Sequence, residues 1–114
     1  MDGPSADIDP AAYFGFTDLN GFKDYVISVS IEAPDGFMEM DWLKPSEQMN
    51  VERAFVGLRY GLKLVAEQMG ELPVFARCRV LVEEAYTLFG ERDDLSGQRK
   101  LEEVERLLRP IPTP

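Results

Sequence analysis

The stretch Phe22-Lys23-Asp24-Tyr25-Val26-Ile27-Ser28-Val29-Ser30-Ile31-Glu32-Ala33-Pro34-Asp35-Gly36-Phe37-Met38-Glu39-Met40-Asp41-Trp42-Leu43 decides the fold, because everything after Pro45 reads as helix and only here could a sheet form. Tyr25, Ile27, Val29 and Ile31 alternate with Ser28, Ser30 and Glu32, the period of two that a half-buried strand requires, and the run is rich in β-branched residues. Pro34-Asp35-Gly36 is turn chemistry. Beyond it Phe37, Glu39, Asp41 and Leu43 alternate with Met38, Met40 and Trp42, which predicts a second strand and a hairpin with the methionines and the tryptophan on its apolar face. A helix is the alternative, since Phe22, Tyr25, Val26 and Val29 also share one helical face.

The second half is easier to read. After Pro45, Ser46 can cap a helix and Glu47 lies in its first turn, where the macrodipole favours an anion. Apolar residues then recur at Val51, Phe55, Leu58, Leu62, Val65 and Met69, one continuous face. Gly57 and Gly61, a turn apart within it, each cost about 1 kcal/mol relative to alanine, so a close neighbouring backbone is the expected reason for them. Gly70 ends this helix. Pro73 opens a second, with Val74, Cys78, Leu81, Val82, Ala85, Leu88 and Phe89 inward and Gly90 at its end. Asp93 and Asp94 can cap a third that buries Leu101, Val104, Leu107 and Leu108 before Pro110 stops it. Short connections make consecutive helices antiparallel. The expected fold class is α+β, mainly helical: an N-terminal β-hairpin packed on a three-helix antiparallel bundle, with an all-α four-helix bundle as the alternative.

The chain has 114 residues, 45% of them apolar, enough for one domain with an ordinary core. Met1 to Ala12 reads as a flexible acidic leader, and residues 13–114 as the globular domain, entered through the aromatic cluster Tyr13, Phe14, Phe16 and Phe22 around the turn-like Asp18-Leu19-Asn20-Gly21. No run approaches the ~20 apolar residues of a membrane span, and the N-terminus is not a basic region followed by an apolar one, so a cytoplasmic protein is expected.

Net charge is −9, unevenly spread. Up to Lys44 nine carboxylates face two lysines, a net −7; from Pro45 onward twelve face ten bases, a net −2. Such a field repels nucleic acid and anionic membrane and steers a basic protein towards the N-terminal part.

Little in the sequence speaks for catalysis. There is no histidine, which removes the commonest general base and metal ligand. One cysteine, Cys78, excludes an internal disulfide and thiolate zinc sites, and its place among Phe75, Leu81 and Val82 reads as burial. Glu83-Glu84, Asp93-Asp94 and Glu102-Glu103 are adjacent in sequence, so on a helix the members of each pair point apart. A calcium loop counted from Asp18 would need glycine sixth and glutamate twelfth, where Lys23 and Val29 stand. No cofactor, no metal and no enzymatic activity are expected.

Two resemblances remain. Phe75 to Pro110, with Ala85-Tyr86, Leu88-Phe89-Gly90 and Leu108-Arg109-Pro110, resembles one tetratricopeptide-type helical hairpin, departing from it where Leu95 and Glu102 replace small residues. In general character, compact, acidic and without catalytic motifs, the chain is similar to small bacterial toxin-immunity proteins. That similarity implies an inhibitor that occludes the basic active-site cleft of a cognate toxin or effector. The segment expected to bind joins carboxylates to large apolar anchors: Asp35, Phe37, Met38, Glu39, Asp41 and Trp42. The competing expectation is a chaperone or adaptor that grips a partner helix, or a second copy of itself, along the Val51 to Met69 face.

Overall fold

The computed structural model describes residues 9–113. Helices α1 (Pro10–Phe14), α2 (Leu19–Glu32), α3 (Val51–Met69), α4 (Pro73–Gly90) and α5 (Asp94–Leu108) follow one another, with a single 3-10 turn at Pro45–Glu47. There is no strand among the described residues, so the N-terminal β-hairpin is overturned and the all-α alternative holds. Most of the expected leader, residues 1–8, lies outside the described residues, and α1 begins at Pro10.

Local chemistry and burial explain why the decisive stretch is helical. Asp18 caps α2, its carboxylate accepting the Gly21 N–H at 2.9 Å. Leu19, Phe22, Val26 and Val29 are buried at helical spacing, with Tyr25 and Ala33 beside them. Ile27 and Ile31, which a strand would have turned inward with Tyr25 and Val29, are 39% and 72% exposed. Ser30 is buried instead, its hydroxyl donating to the Ile27 carbonyl at 2.7 Å. A β-branched residue loses only tenths of a kcal/mol in a helix, on the order of 0.5, whereas burying each large apolar side chain gains about 1.5–3 kcal/mol. Packing therefore overrides the β-branched signal. With α2 helical, Phe37 to Leu43 has no strand to pair with and runs as an irregular segment.

The four long helices form a ring in which α2 touches α3 and α5, and α4 touches the same two. Cross-links fix every neighbour as antiparallel. Phe22 and Tyr25 of α2 lie against Gly61 and Gly57 of α3; Glu52 and Arg59 of α3 reach Tyr86 and Glu83 of α4. Lys100 and Glu103 of α5 meet Glu84 and Arg77 of α4. Lys23 at the start of α2 donates to the carbonyls of Arg109 and Ile111, while Gln98 at the start of α5 donates to that of Ala33.

Two further expectations are corrected in detail. Asn50, not Ser46, caps α3: its side chain accepts the Arg53 N–H at 2.9 Å, and Ser46 lies in the preceding 3-10 turn. The tight contacts at Gly57 and Gly61 are aromatic rather than backbone. A Cβ would stand 2.1 Å from the Tyr25 hydroxyl at Gly57, and 2.1 Å from the Phe22 ring at Gly61. The α3 groove is thus filled from within by Phe14, Phe22 and Tyr25, and the face expected to receive a partner helix is core.

Candidate functional site

The chain leaves α2 at Ala33 and enters α3 at Val51, and the intervening segment folds back beside α1 and α2. Its course is held by side chains. The Gln48 amide accepts the Met40 N–H at 2.8 Å and donates to the carbonyls of Met40 and Leu43 at 2.8 and 2.9 Å. Arg53 donates to the Gln48 carbonyl at 2.8 Å, and the Tyr13 hydroxyl to that of Glu47 at 2.6 Å. Leu43 is buried and Phe37 half-buried against the core. These anchors leave Met38, Met40 and Trp42 outward, 71%, 43% and 57% exposed.

Between this segment and α2 runs a groove of about 360 Å3. One wall is Asp24, Ser28 and Glu32, three residues at i, i+4 and i+8 on α2; the other is Phe37, Met38, Met40 and Trp42. Tyr13, Phe14, Tyr25 and Val29 also line it and belong to the core. The Tyr25 hydroxyl donates to the Ala54 carbonyl at 2.9 Å, and burial raises its pKa, as it does that of Tyr13, where Arg53 partly opposes the shift. Both phenols stay neutral and bond the backbone of the α3 side.

The binding segment expected from sequence is therefore partly assembled. Phe37, Met38 and Trp42 line the groove, while Glu39 and Asp41 are exposed between its lining residues. Asp35 stands apart, paired with Arg92 at 3.8 Å. Sequence reasoning missed Asp24, Ser28, Glu32 and Gln48. The 24-28-32 spacing was visible once α2 is taken as a helix, whereas nothing in the sequence marks Gln48 as the residue that holds the segment.

Ion pairing is uneven along the chain. Of the seven ion pairs among the described residues, six lie wholly after Pro45. Asp24, Glu32, Glu39 and Asp41 have no cationic partner among the described residues. Of the seven exposed large apolar residues, Met38, Met40 and Trp42 line the groove, while Ile27 and Ile31 are exposed elsewhere on α2.

Other surfaces are less one-sided. A cleft of about 470 Å3 between α3 and α4 is lined by Arg59, Lys63, Arg79, Glu67, Glu71 and Glu83, three charges of each sign. Arg59 bonds both oxygens of Glu83 at 2.8 and 3.0 Å, and the guanidinium holds that carboxyl below its ordinary range. Arg79 does the same to Glu71. Cys78 is fully buried in α4, and burial pushes its thiol up to about 11, far from a ready nucleophile. Among the described residues no group of three or more Asp, Glu, Cys or His is placed to hold a metal ion, and no helix is long and apolar enough to cross a membrane.

No family model matches the sequence, and neither a curated protein nor a solved structure matches it.

Proposed function

We propose that this chain is a non-catalytic protein-binding domain of the immunity type, which binds a basic toxin or effector domain and occludes its active-site cleft. The observation that carries this reading is that Met38, Met40 and Trp42, three of the seven exposed large apolar residues, share one groove with Asp24 and Glu32, which have no ion-pair partner among the described residues. Patches that combine the two suit protein interfaces, where buried aromatic and methionine anchors supply affinity and rim charges supply steering. A cleft that handles nucleic acid or nucleotides is positive, so a chain of net −9 with Asp24 and Glu32 in its groove complements it. The expected setting is the bacterial cytoplasm, where an inhibitor would meet its toxin.

The test is affinity capture from the source lysate followed by reconstitution of the captured protein with the purified chain. The reading expects a stoichiometric basic partner whose own activity falls in proportion to the chain added. An acidic or neutral partner, or a basic one whose activity is untouched, rejects it.

A further inference from the structure

Resting on that reading, we infer that the groove between α2 and the Phe37 to Leu43 segment receives a short basic segment of the partner, whose one or two bulky apolar side chains enter between flanking lysines or arginines. Its size sets the occupant. A benzene-sized group needs roughly 150 Å3, so the groove's 360 Å3 takes two such side chains. Both walls suit this guest: Met38, Met40 and Trp42 offer adaptable thioethers and a ring, and Val29 with Phe14 offers an apolar floor.

Charge sets the flanks. Asp24 and Glu32 stand at the two ends of the α2 wall, eight residues and so about 12 Å apart, and Glu39 and Asp41 alternate with the groove-lining residues of the opposite wall. None of the four has an ion-pair partner among the described residues, and Asp24 and Glu32 line the groove itself, so a guest's cations meet free carboxylates along the α2 wall. The same charges disfavour two other occupants. A second copy would bring an identical acidic face, and residues 1–8 of the chain itself carry Asp2 and Asp7 with no lysine or arginine.

Trp42 is the only tryptophan in the chain and lines the groove, so its emission reports occupancy directly. The full chain is titrated with three peptides: Lys-Lys-Phe-Leu-Lys-Lys, Lys-Lys-Gly-Gly-Lys-Lys and Glu-Glu-Phe-Leu-Glu-Glu. The first should shift the emission saturably and bind at least tenfold more tightly than either control. Ser28→Phe fills the groove from an exposed helical position, so it should keep the helical circular dichroism and abolish the response. Equal binding of the glycine peptide (charge alone), equal binding of the acidic peptide (apolar contact alone), no saturable response, or an unchanged Ser28→Phe titration would each overturn the inference. A captured basic partner that Ser28→Phe still binds and inhibits rejects the groove and leaves the inhibitor reading standing. Peptide binding as expected, with no basic partner captured, keeps the groove and rejects the inhibitor.

Discussion

Gln48 holds Met40 as a neighbouring strand would, its side-chain amide taking both the N–H and the carbonyl of that residue at 2.8 Å. A third bond, to the Leu43 carbonyl, fixes the segment on which Met38, Met40 and Trp42 are displayed. Each such bond contributes about 0.5–1.5 kcal/mol net, and the bonded groups at Met40 are exposed. Gln48→Ala should therefore leave the denaturation midpoint within a few degrees of wild type while the Met40 amide exchanges its proton much faster. Gln48→Glu keeps the acceptor for the Met40 N–H but loses both donated bonds, so it should lie between the two. Amide exchange followed by NMR decides this, and a Met40 amide equally protected in Gln48→Ala would show that the clip does not hold the segment.

Substitution at Gly57 and Gly61 sets helix propensity against packing. Alanine is favoured in a helix by about 1 kcal/mol over glycine, yet its Cβ would stand 2.1 Å from the Tyr25 hydroxyl at Gly57 or from the buried Phe22 ring at Gly61. Such overlap costs about 1–3 kcal/mol, and at Gly57 the displaced hydroxyl also leaves the Ala54 carbonyl it bonds. Gly57→Ala and Gly61→Ala should both lower the urea midpoint, and Gly57→Leu more so. A stabilised Gly57→Ala would mean that the Tyr25 ring moves aside freely.

Phe55 and Leu62 lie in the core, 0% and 1% exposed on α3, with Phe55 edge-on to both Tyr86 and Phe89. Truncation of either to alanine leaves a cavity and should cost about 2–5 kcal/mol, read from urea denaturation. An unchanged midpoint for both would remove this face from the core.

Alkaline pH should unfold the protein early. Cys78 and Tyr25 both have pKa values raised by burial, the thiol up to about 11 from an ordinary 9.0. The unfolded chain then loses its protons first, so stability is intact below about pH 9 and falls as pH rises towards 11. The Cys78 contribution to the slope is at most about 1.4 kcal/mol per pH unit, and Tyr25 adds to it above 10. Urea midpoints at pH 8, 9.5 and 10.5 test the direction. In parallel, native Cys78 should react with a thiol reagent at pH 8 only as fast as the protein unfolds. Rapid labelling of the native protein would contradict its burial.

Legibility differed along the chain for physical reasons. The α3, α4 and α5 stripes span four to five turns each and are bounded by glycine, aspartate or proline, so periodicity marks them even where the expected cap differs from the observed one, as Ser46 does from Asn50. Over α2 two signals conflict. Tyr25, Ile27, Val29 and Ile31 satisfy a period of two, and only the burial of Leu19, Phe22, Val26 and Val29 decides for the helix. A single sequence does not display that burial. The acidic character of this part of the chain was legible in its composition, whereas the exposure of Met38 and Trp42 was not, since the expected hairpin turns both towards its apolar face. The opposite wall was not legible either, because Asp24, Ser28 and Glu32 share a face only on a helix.

Charge reversal tests the preferred role of this face. Glu39 and Asp41 are exposed and have no ion-pair partner among the described residues, so changing both to lysine should alter stability little. It also removes two of the charges that would meet a basic partner and adds two that repel it. The control has to avoid existing pairs. Glu103 bonds Arg77 at 3.7 Å, so the matched reversal is Glu91 and Glu102, both exposed and unpaired among the described residues. Against the captured partner, the double change Glu39→Lys and Asp41→Lys should slow association, most of all at low ionic strength, where the Debye length is longest. Carboxylates buried against arginine or lysine in the complex would instead show as faster dissociation. The control reversal should change either rate by less than about threefold, since it leaves the groove side untouched. If Glu91→Lys with Glu102→Lys abolishes binding and the Glu39 and Asp41 reversal does nothing, the interface lies on the helical C-terminal part and the acidic face is not the inhibitor surface.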